Sequence, residues 1–243
     1  VLTILVVILY LKPMPTFEHD KARSLPWPLV DPAMAKTEVN ILADGRIKIS
    51  IKHAPLNNIT PEMIAWFYQI LPISTVDLNG TTYPLYHLFH PTEHGVIRIK
   101  ESAFNGKAGM GVGALVARQE WFGLFNSKGA GRIIEFSKQG MHVKPEALGL
   151  HFGDIKHRFI KLANGTQYNL TSIVGSDTPV FGPMINHYIR YKMFPPQMLK
   201  EWTRHQIEEV GSLAYFLPIL FQAKEKALGN HYKINIPLQF YKK

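Results

Sequence analysis

Pro195-Pro196-Gln197-Met198-Leu199-Lys200-Glu201-Trp202-Thr203-Arg204-His205-Gln206-Ile207-Glu208-Glu209-Val210, running on to Leu217-Pro218, is the stretch from which the rest of the chain is read. Two prolines suit the start of a helix, where a missing N–H costs nothing, and Pro218 is the expected stop. At 3.6 residues per turn, Met198, Trp202, His205, Glu209, Leu213 and Phe216 share one stripe, whereas Lys200, Arg204 and Glu208 point elsewhere. A histidine and a carboxylate four residues apart therefore lie on the face that should be buried. Desolvating a carboxylate costs several kcal/mol unless a cation or donors meet it. A metal ion shared by His205 and Glu209 meets that need; so does a His–Glu hydrogen bond, or a helix rotated to wet both.

With 243 residues, 46% of them hydrophobic and 19% charged, the chain reads as globular with ample core. Cysteine is absent, which excludes disulfides, thiolate nucleophiles and Cys-type metal sites, so any metal is left to His, Asp or Glu. The formal charge of +9 is scattered along strands, as in Arg46-Ile47-Lys48-Ile49-Ser50-Ile51-Lys52, with no nucleic-acid motif. It is read as a solvated surface that helps membrane apposition.

Residues 1–12 open with the uncharged run Val1 to Leu11 (VLTILVVILYL), too short to span a bilayer. It is read as the end of a signal peptide or a membrane anchor, with a buried strand or helix as the alternative, which places the domain outside the cytoplasm. Residues 13–36, with Pro13, Pro15, Pro26, Pro28 and Pro32, form a linker that wraps the surface. From residue 37 to 243 one α+β domain is the economical reading.

Within it, Val39 to Leu42 turns at Asp44-Gly45 into a strand that alternates Ile47, Ile49 and Ile51 with polar residues. Thr60 caps a helix that begins at Pro61. A strand-like run from Thr81 to His94 carries Tyr83, Tyr86, His87, His90 and His94. Further strands are expected at 95–100, 113–122, 132–137, 150–162, 168–174, 184–194 and 231–241, with Pro237 favouring an edge. The glycines of residues 106–113 lack Walker spacing and read as a hairpin connection. Sequons at Asn58, Asn79, Asn164 and Asn169 matter only in a eukaryotic secretory setting.

Glu120, on an apolar strand beside Phe122, adds a carboxylate to His87, His90, His94, His205 and Glu209. The order Ile59-Thr60-Pro61-Glu62-Met63-Ile64-Ala65-Trp66, then Tyr86-His87-Leu88-Phe89-His90-Pro91-Thr92-Glu93-His94, then His205-Gln206-Ile207-Glu208-Glu209 with Leu217-Pro218, resembles the diacetylphloroglucinol hydrolase and phloretin hydrolase family. The resemblance covers residues 58–220, and its middle matches by order more than by motif. Glu93 stands where an aspartate is expected and Phe89 where tryptophan is usual.

The resemblance implies a Bet v 1-like helix-grip fold, a curved antiparallel sheet closed over a long C-terminal helix. It also implies one zinc ion held by two histidines and two glutamates, carried over to His94, Glu120, His205 and Glu209. His90 is the alternative to His94, which is preferred because Tyr86 lies eight residues before it, as a substrate-contacting tyrosine does in the family. The implied reaction is hydrolysis, by metal-activated water, of a carbon–carbon bond between an acyl group and a phenolic ring or related 1,3-dicarbonyl substrate. Tyr86 and His187 are the candidate phenol-binding and proton-donating groups, with Tyr191 behind them, and His90 is counted with them as catalytic where His94 is the ligand; His142, His151 and His157 stay unranked. The other reading is a non-catalytic helix-grip carrier of a lipid or aromatic ligand. Expected partners are the small substrate and a membrane at the N-terminus, not nucleic acid; a homodimer is left open.

Overall fold

The computed structural model describes residue 14, residues 16–147 and residues 150–236, to which all structural statements here refer. The apolar run of residues 1–12 and the edge position of Pro237 fall outside them.

In chain order the hairpin β1 (Lys36–Ile41) and β2 (Ile47–Lys52) leads through β3 (Leu56–Asn57) to helix α1 (Pro61–Ile70). Strands β4 (Thr75–Leu78) and β5 (Thr81–Pro84), the short helix α2 (Leu85–Phe89), and β6 (His94–Glu101) and β7 (Leu115–Phe122) follow. Then come β8 (Phe125–Ser137), β9 (Gly140–Ala147), β10 (Leu150–His151), β11 (Gly153–Leu162) and β12 (Gly165–Val174). Helix α3 (Gly182–Tyr188) runs into a π-turn (Ile189–Met193), and α4 (Pro196–Ala223) precedes β13 (His231–Ile234). The main sheet has ten strands, ordered β1-β2-β12-β11-β9-β8-β7-β6 with β10 on β9 and β3 on β12, and all its pairings are antiparallel. A small second sheet joins β13, β4 and β5.

Helix α4, 28 residues long, lies against α1, α2, β3 and β7. This is the helix-grip arrangement that the resemblance implies. Met198, Trp202, His205, Glu209, Leu213 and Phe216 are all buried, as the periodicity predicts, and from His205 to Val210 every residue is buried. His90 covers the helix at Glu208, and the proline-rich segment covers the turns that follow. Trp27 stacks on Phe216 with centroids 5.5 Å apart, and a Cβ at Gly211 would sit 2.4 Å from Val30 Cγ2, so only glycine lets the segment lie so close.

Several expectations hold. Asp44-Gly45 turns the first hairpin with Gly45 at φ +84°, and Ile47, Ile49 and Ile51 are buried. The Thr60 hydroxyl accepts from the Met63 amide at 3.3 Å, capping α1. The glycine stretch connects the β6–β7 hairpin.

Others fail. Pro218 lies inside α4, because packing of Leu213, Phe216, Leu217 and Leu220 outweighs one lost backbone bond. The run from Thr81 to His94 is not one strand: after Pro84 it coils into α2, burying Leu85, Tyr86, Leu88 and Phe89. Residues 184–194, expected as a strand, are helical as far as Met193, continuing a helix that starts at Gly182, with Gly182, Asn186 and Ile189 buried at helical spacing.

Candidate metal centre

Three elements deliver the site. Helix α4 brings His205 and Glu209, the first residue of β6 is His94, and β7 brings Glu120, which pairs with His94 in the β6–β7 register. His94 Nε2 lies 3.2 Å from His205 Nε2 and 3.2 Å from a Glu209 oxygen, which is 3.5 Å from His205 Nε2. Ligand atoms of His94, Glu120 and His205 lie within 4.8 Å of one another, and all three residues are buried. The four residues expected to hold a metal are therefore together.

The outward nitrogens set the tautomers. His94 Nδ1 faces the Tyr86 carbonyl oxygen at 2.7 Å, so it carries hydrogen and donates. His205 Nδ1 donates in the same way to a Glu93 oxygen at 2.8 Å. Both Nε2 atoms thus turn a lone pair towards each other and towards Glu209. Three electron-pair donors meeting in a buried space need a cation between them, either a proton or a metal ion. Imidazoles whose second nitrogen is fixed by a carbonyl and a carboxylate are what metal-ligating histidines present. The donor set of two nitrogens and carboxylate oxygens, without sulfur, suits zinc.

Protons fill the gap when no metal does. Burial works against a charged His205, but the Glu209 and Glu93 carboxylates outweigh it and hold its pKa up at about 9. Burial likewise opposes ionised Glu209, yet the His205 and His94 imidazoles that face it bring its pKa down to about 2. A metal must displace the His205 proton below pH ~9, while Glu209 is already ionised. Affinity should therefore rise with pH up to about 9, by at most about tenfold per unit. Calorimetric titration with zinc at pH 7 in buffers of different ionisation enthalpy should show about one proton released, and none released would contradict this.

Glu93, noticed in the sequence only as a departure from the family's aspartate, supports the site. Its carboxylate accepts from His205 and, at 2.5 Å, from Arg204, and it also receives the Gly123 amide at 2.8 Å. Glu93→Gln should weaken zinc affinity about 10–100-fold with the fold intact, measured by competition with a chelator; unchanged affinity would remove Glu93 from the site.

Glu208, expected to point away, is buried: it bonds to Arg204 and lies 3.1 Å from His90 Nε2. The i, i+4 pairing of Arg204 with Glu208 was a readable signal for it. Ligand-type atoms of His90, Glu93 and His205 also lie within 4.8 Å of one another in the interior, but the hydrogen bonds around His90 direct it elsewhere. Its Nδ1 accepts the Thr92 and Glu93 amides, at 3.3 and 3.1 Å, which puts its hydrogen on the Nε2 that faces Glu208, and its ring stacks on His205 at 4.4 Å. Burial, then His205 and His94, keep His90 neutral. It acts as a buttress.

Tyr86 donates to Glu120, whose other oxygen meets Arg118. Burial and then the Glu120 charge push the Tyr86 pKa well up, so the phenol keeps its proton. His187 does not join the cluster: it is exposed on α3, its ring 4.6 Å from that of Tyr191. His142 pairs with Asp154 at 2.6 Å, and His151 is exposed. His157 is an interior group that the sequence left unranked. Its Nδ1 lies 2.6 Å from the Tyr168 hydroxyl, which lies 2.6 Å from that of Tyr68. His53 packs edge-on to Tyr168 at 5.0 Å, and its buried Nε2 has no hydrogen-bond partner among the described residues. His53, His157, Tyr68 and Tyr168 are buried, as are the four expected ligands.

No family model and no curated protein matches the chain. Among solved structures, the crystal structure of Ara h 8.0201 is similar at 10% identity, over 74% of this chain and 99% of that one, with a TM-score of 0.44. A START superfamily protein from Mycobacterium smegmatis is similar at 12% identity, over 69% and 98% of the two chains, with a TM-score of 0.41. The helix-grip assignment rests on this chain's own strand order and on the placement of α4.

Proposed function

We propose that the protein is a zinc-dependent hydrolase that cleaves a carbon–carbon bond between an acyl group and a phenolic, phloroglucinol-like ring. The observation that carries this reading is the meeting of the His94 and His205 Nε2 lone pairs with the Glu209 carboxylate in a buried space. His94, Glu120, His205 and Glu209 would hold the ion, which when bound supplies Lewis acidity towards an acyl carbonyl and activation of water. Overall, water adds across the bond: the acyl carbon gains hydroxyl and leaves as a carboxylic acid, and the ring carbon gains hydrogen.

The chain's own groups have the remaining tasks. Glu93 and the Tyr86 carbonyl keep both imidazoles in the tautomer that points Nε2 inward. The Tyr86 hydroxyl retains its proton, which it gives to Glu120 in a hydrogen bond; turned from Glu120 once that carboxylate holds the ion, it would give the same hydrogen bond to a developing oxyanion or phenolate. The Tyr68–Tyr168–His157 chain and the His53 Nε2 offer polar contacts for ring hydroxyls inside an otherwise apolar interior. Burial holds the His53 and His157 pKa values down at about 3 and about 4, so both enter as neutral rings that can donate or accept.

Incubation with acylphloroglucinols and detection of the released carboxylic acid tests the reaction; a zinc-loaded protein that cleaves none of them would contradict it. Tyr86→Phe should lower kcat about a hundredfold and leave the zinc content near that of the parent protein. Loss of zinc in that variant would make Tyr86 a structural support only.

The second reading is a non-catalytic carrier that holds a small aromatic or lipid ligand between sheet and helix. The architecture supports it, and so does the same interior polar set, which would orient a bound ligand without any metal. The two separate on metal: a carrier keeps its ligand affinity after His205→Ala, whereas the hydrolase loses zinc and turnover together.

A further inference from the structure

Between Thr178 and Lys200 there is no aspartate or glutamate, while Arg190, Lys192 and Lys200 are basic. The centre of this stretch is one helical rod. Backbone angles at Tyr188 (φ −58°, ψ −45°) and Ile189 (φ −58°, ψ −52°) carry α3 directly into the π-turn. Its inner side is fixed: Gly182, Asn186 and Ile189 are buried, and the Asn186 amide donates to the Asp44 carbonyl at 2.9 Å and accepts from the Ser176 amide at 2.7 Å.

The outer side is the anomaly. A helix packed on a domain normally turns charged residues to water. Here Phe181 is 49% exposed, Tyr191 60% and Met193 42%, and Val180, just before the rod, is 85% exposed. Val180 also has φ +68°, a left-handed conformation costly for a β-branched residue. Arg190 lies over the Tyr191 ring, 5.4 Å from its centroid, and Lys192 follows in sequence.

We propose that this ridge is a seat for an anionic lipid surface, with Val180, Phe181, Tyr191 and Met193 entering the head-group boundary and Arg190 and Lys192 meeting lipid phosphates or carboxylates. The apolar and aromatic side chains sit beside Arg190 and Lys192, while the exposed Asp177 at the Val180 end lies 4.0 Å from Arg46; apolar area next to basic groups matches an interfacial contact with anionic lipid. The formal charge of +9 adds long-range attraction to the same partner. No helix among the described residues is long and apolar enough to cross a membrane.

The chain has no cysteine, so a single one can be introduced and labelled anywhere. Phe181→Cys, Tyr191→Cys and, as a control, Phe104→Cys at another exposed site should each be made in the full chain and given an environment-sensitive fluorophore. With phosphatidylserine-containing vesicles, the labels at 181 and 191 should shift to the blue and be quenched by brominated lipid, while the label at 104 stays in water. Pure phosphatidylcholine should give little change, and Lys192→Gln should weaken the response about fivefold. Because each label reports only its own surroundings, tethering elsewhere in the chain does not imitate the result. Labels at 181 and 191 that stay in water on anionic vesicles would overturn the proposal. So would a blue shift without vesicles that grows with protein concentration, which would assign the ridge to a second copy of the chain.

Discussion

His205→Ala should reduce bound zinc from about one ion per chain to almost none and slow carbon–carbon hydrolysis by about three orders of magnitude. The size follows from what the metal contributes: several kcal/mol of transition-state stabilisation is at stake, and each ~1.4 kcal/mol is a factor of ten. The substitution removes the Nε2 ligand and also the ring that joins Glu93 to the centre. The fold should persist, since Glu93 keeps its bond to Arg204, and circular dichroism would check that. Metal analysis and turnover on the same sample give the answer. A variant that retains zinc would show that the ion sits elsewhere.

Removal of the metal from the unaltered chain should lower the melting temperature by about 8–16 °C. Zinc at a thousand times its dissociation constant stabilises the folded state by about 4 kcal/mol. In a domain of this size each kcal/mol is about 2–4 °C. Without the ion, a proton on His205 must hold two imidazoles and a buried carboxylate together, a weaker arrangement. Thermal melts with and without chelator, each re-measured after adding zinc back, would show the shift and its reversal. Equal melting temperatures would contradict a metal held at this position.

These results depend on features that were only partly legible in the sequence. The inward stripe of α4 was readable because a 28-residue helix repeats its pattern over several turns, and His205 and Glu209 belong to that stripe. Glu120 was readable as a carboxylate on an apolar strand, and the β6–β7 register then sets it opposite His94. Which imidazole of the histidine-rich stretch reaches Glu209 was not readable, because that depends on α2. The run was expected to be a strand, and after it coils beyond Pro84 both imidazoles face α4, His94 towards Glu209 and His90 towards Glu208.

Glu208 was misplaced for a related reason. Periodicity assumes one buried face, whereas α4 is enclosed on every side near its middle, where loop residues 90–93 and the proline-rich segment cover what would otherwise be the solvent face. His187 was misplaced because residues 184–194 mix aromatic, β-branched and polar side chains in a way that suits either period. Only the inward set of Gly182, Asn186 and Ile189 decides for the helix.

The most direct measurement is an anomalous difference map, collected at the zinc absorption edge, from crystals of the zinc-loaded protein. The account predicts one strong peak in the space bounded by the His94 and His205 Nε2 atoms and the carboxylates of Glu120 and Glu209. A peak at His142 and Asp154 instead, or no peak within the grip of sheet and helix, would contradict it.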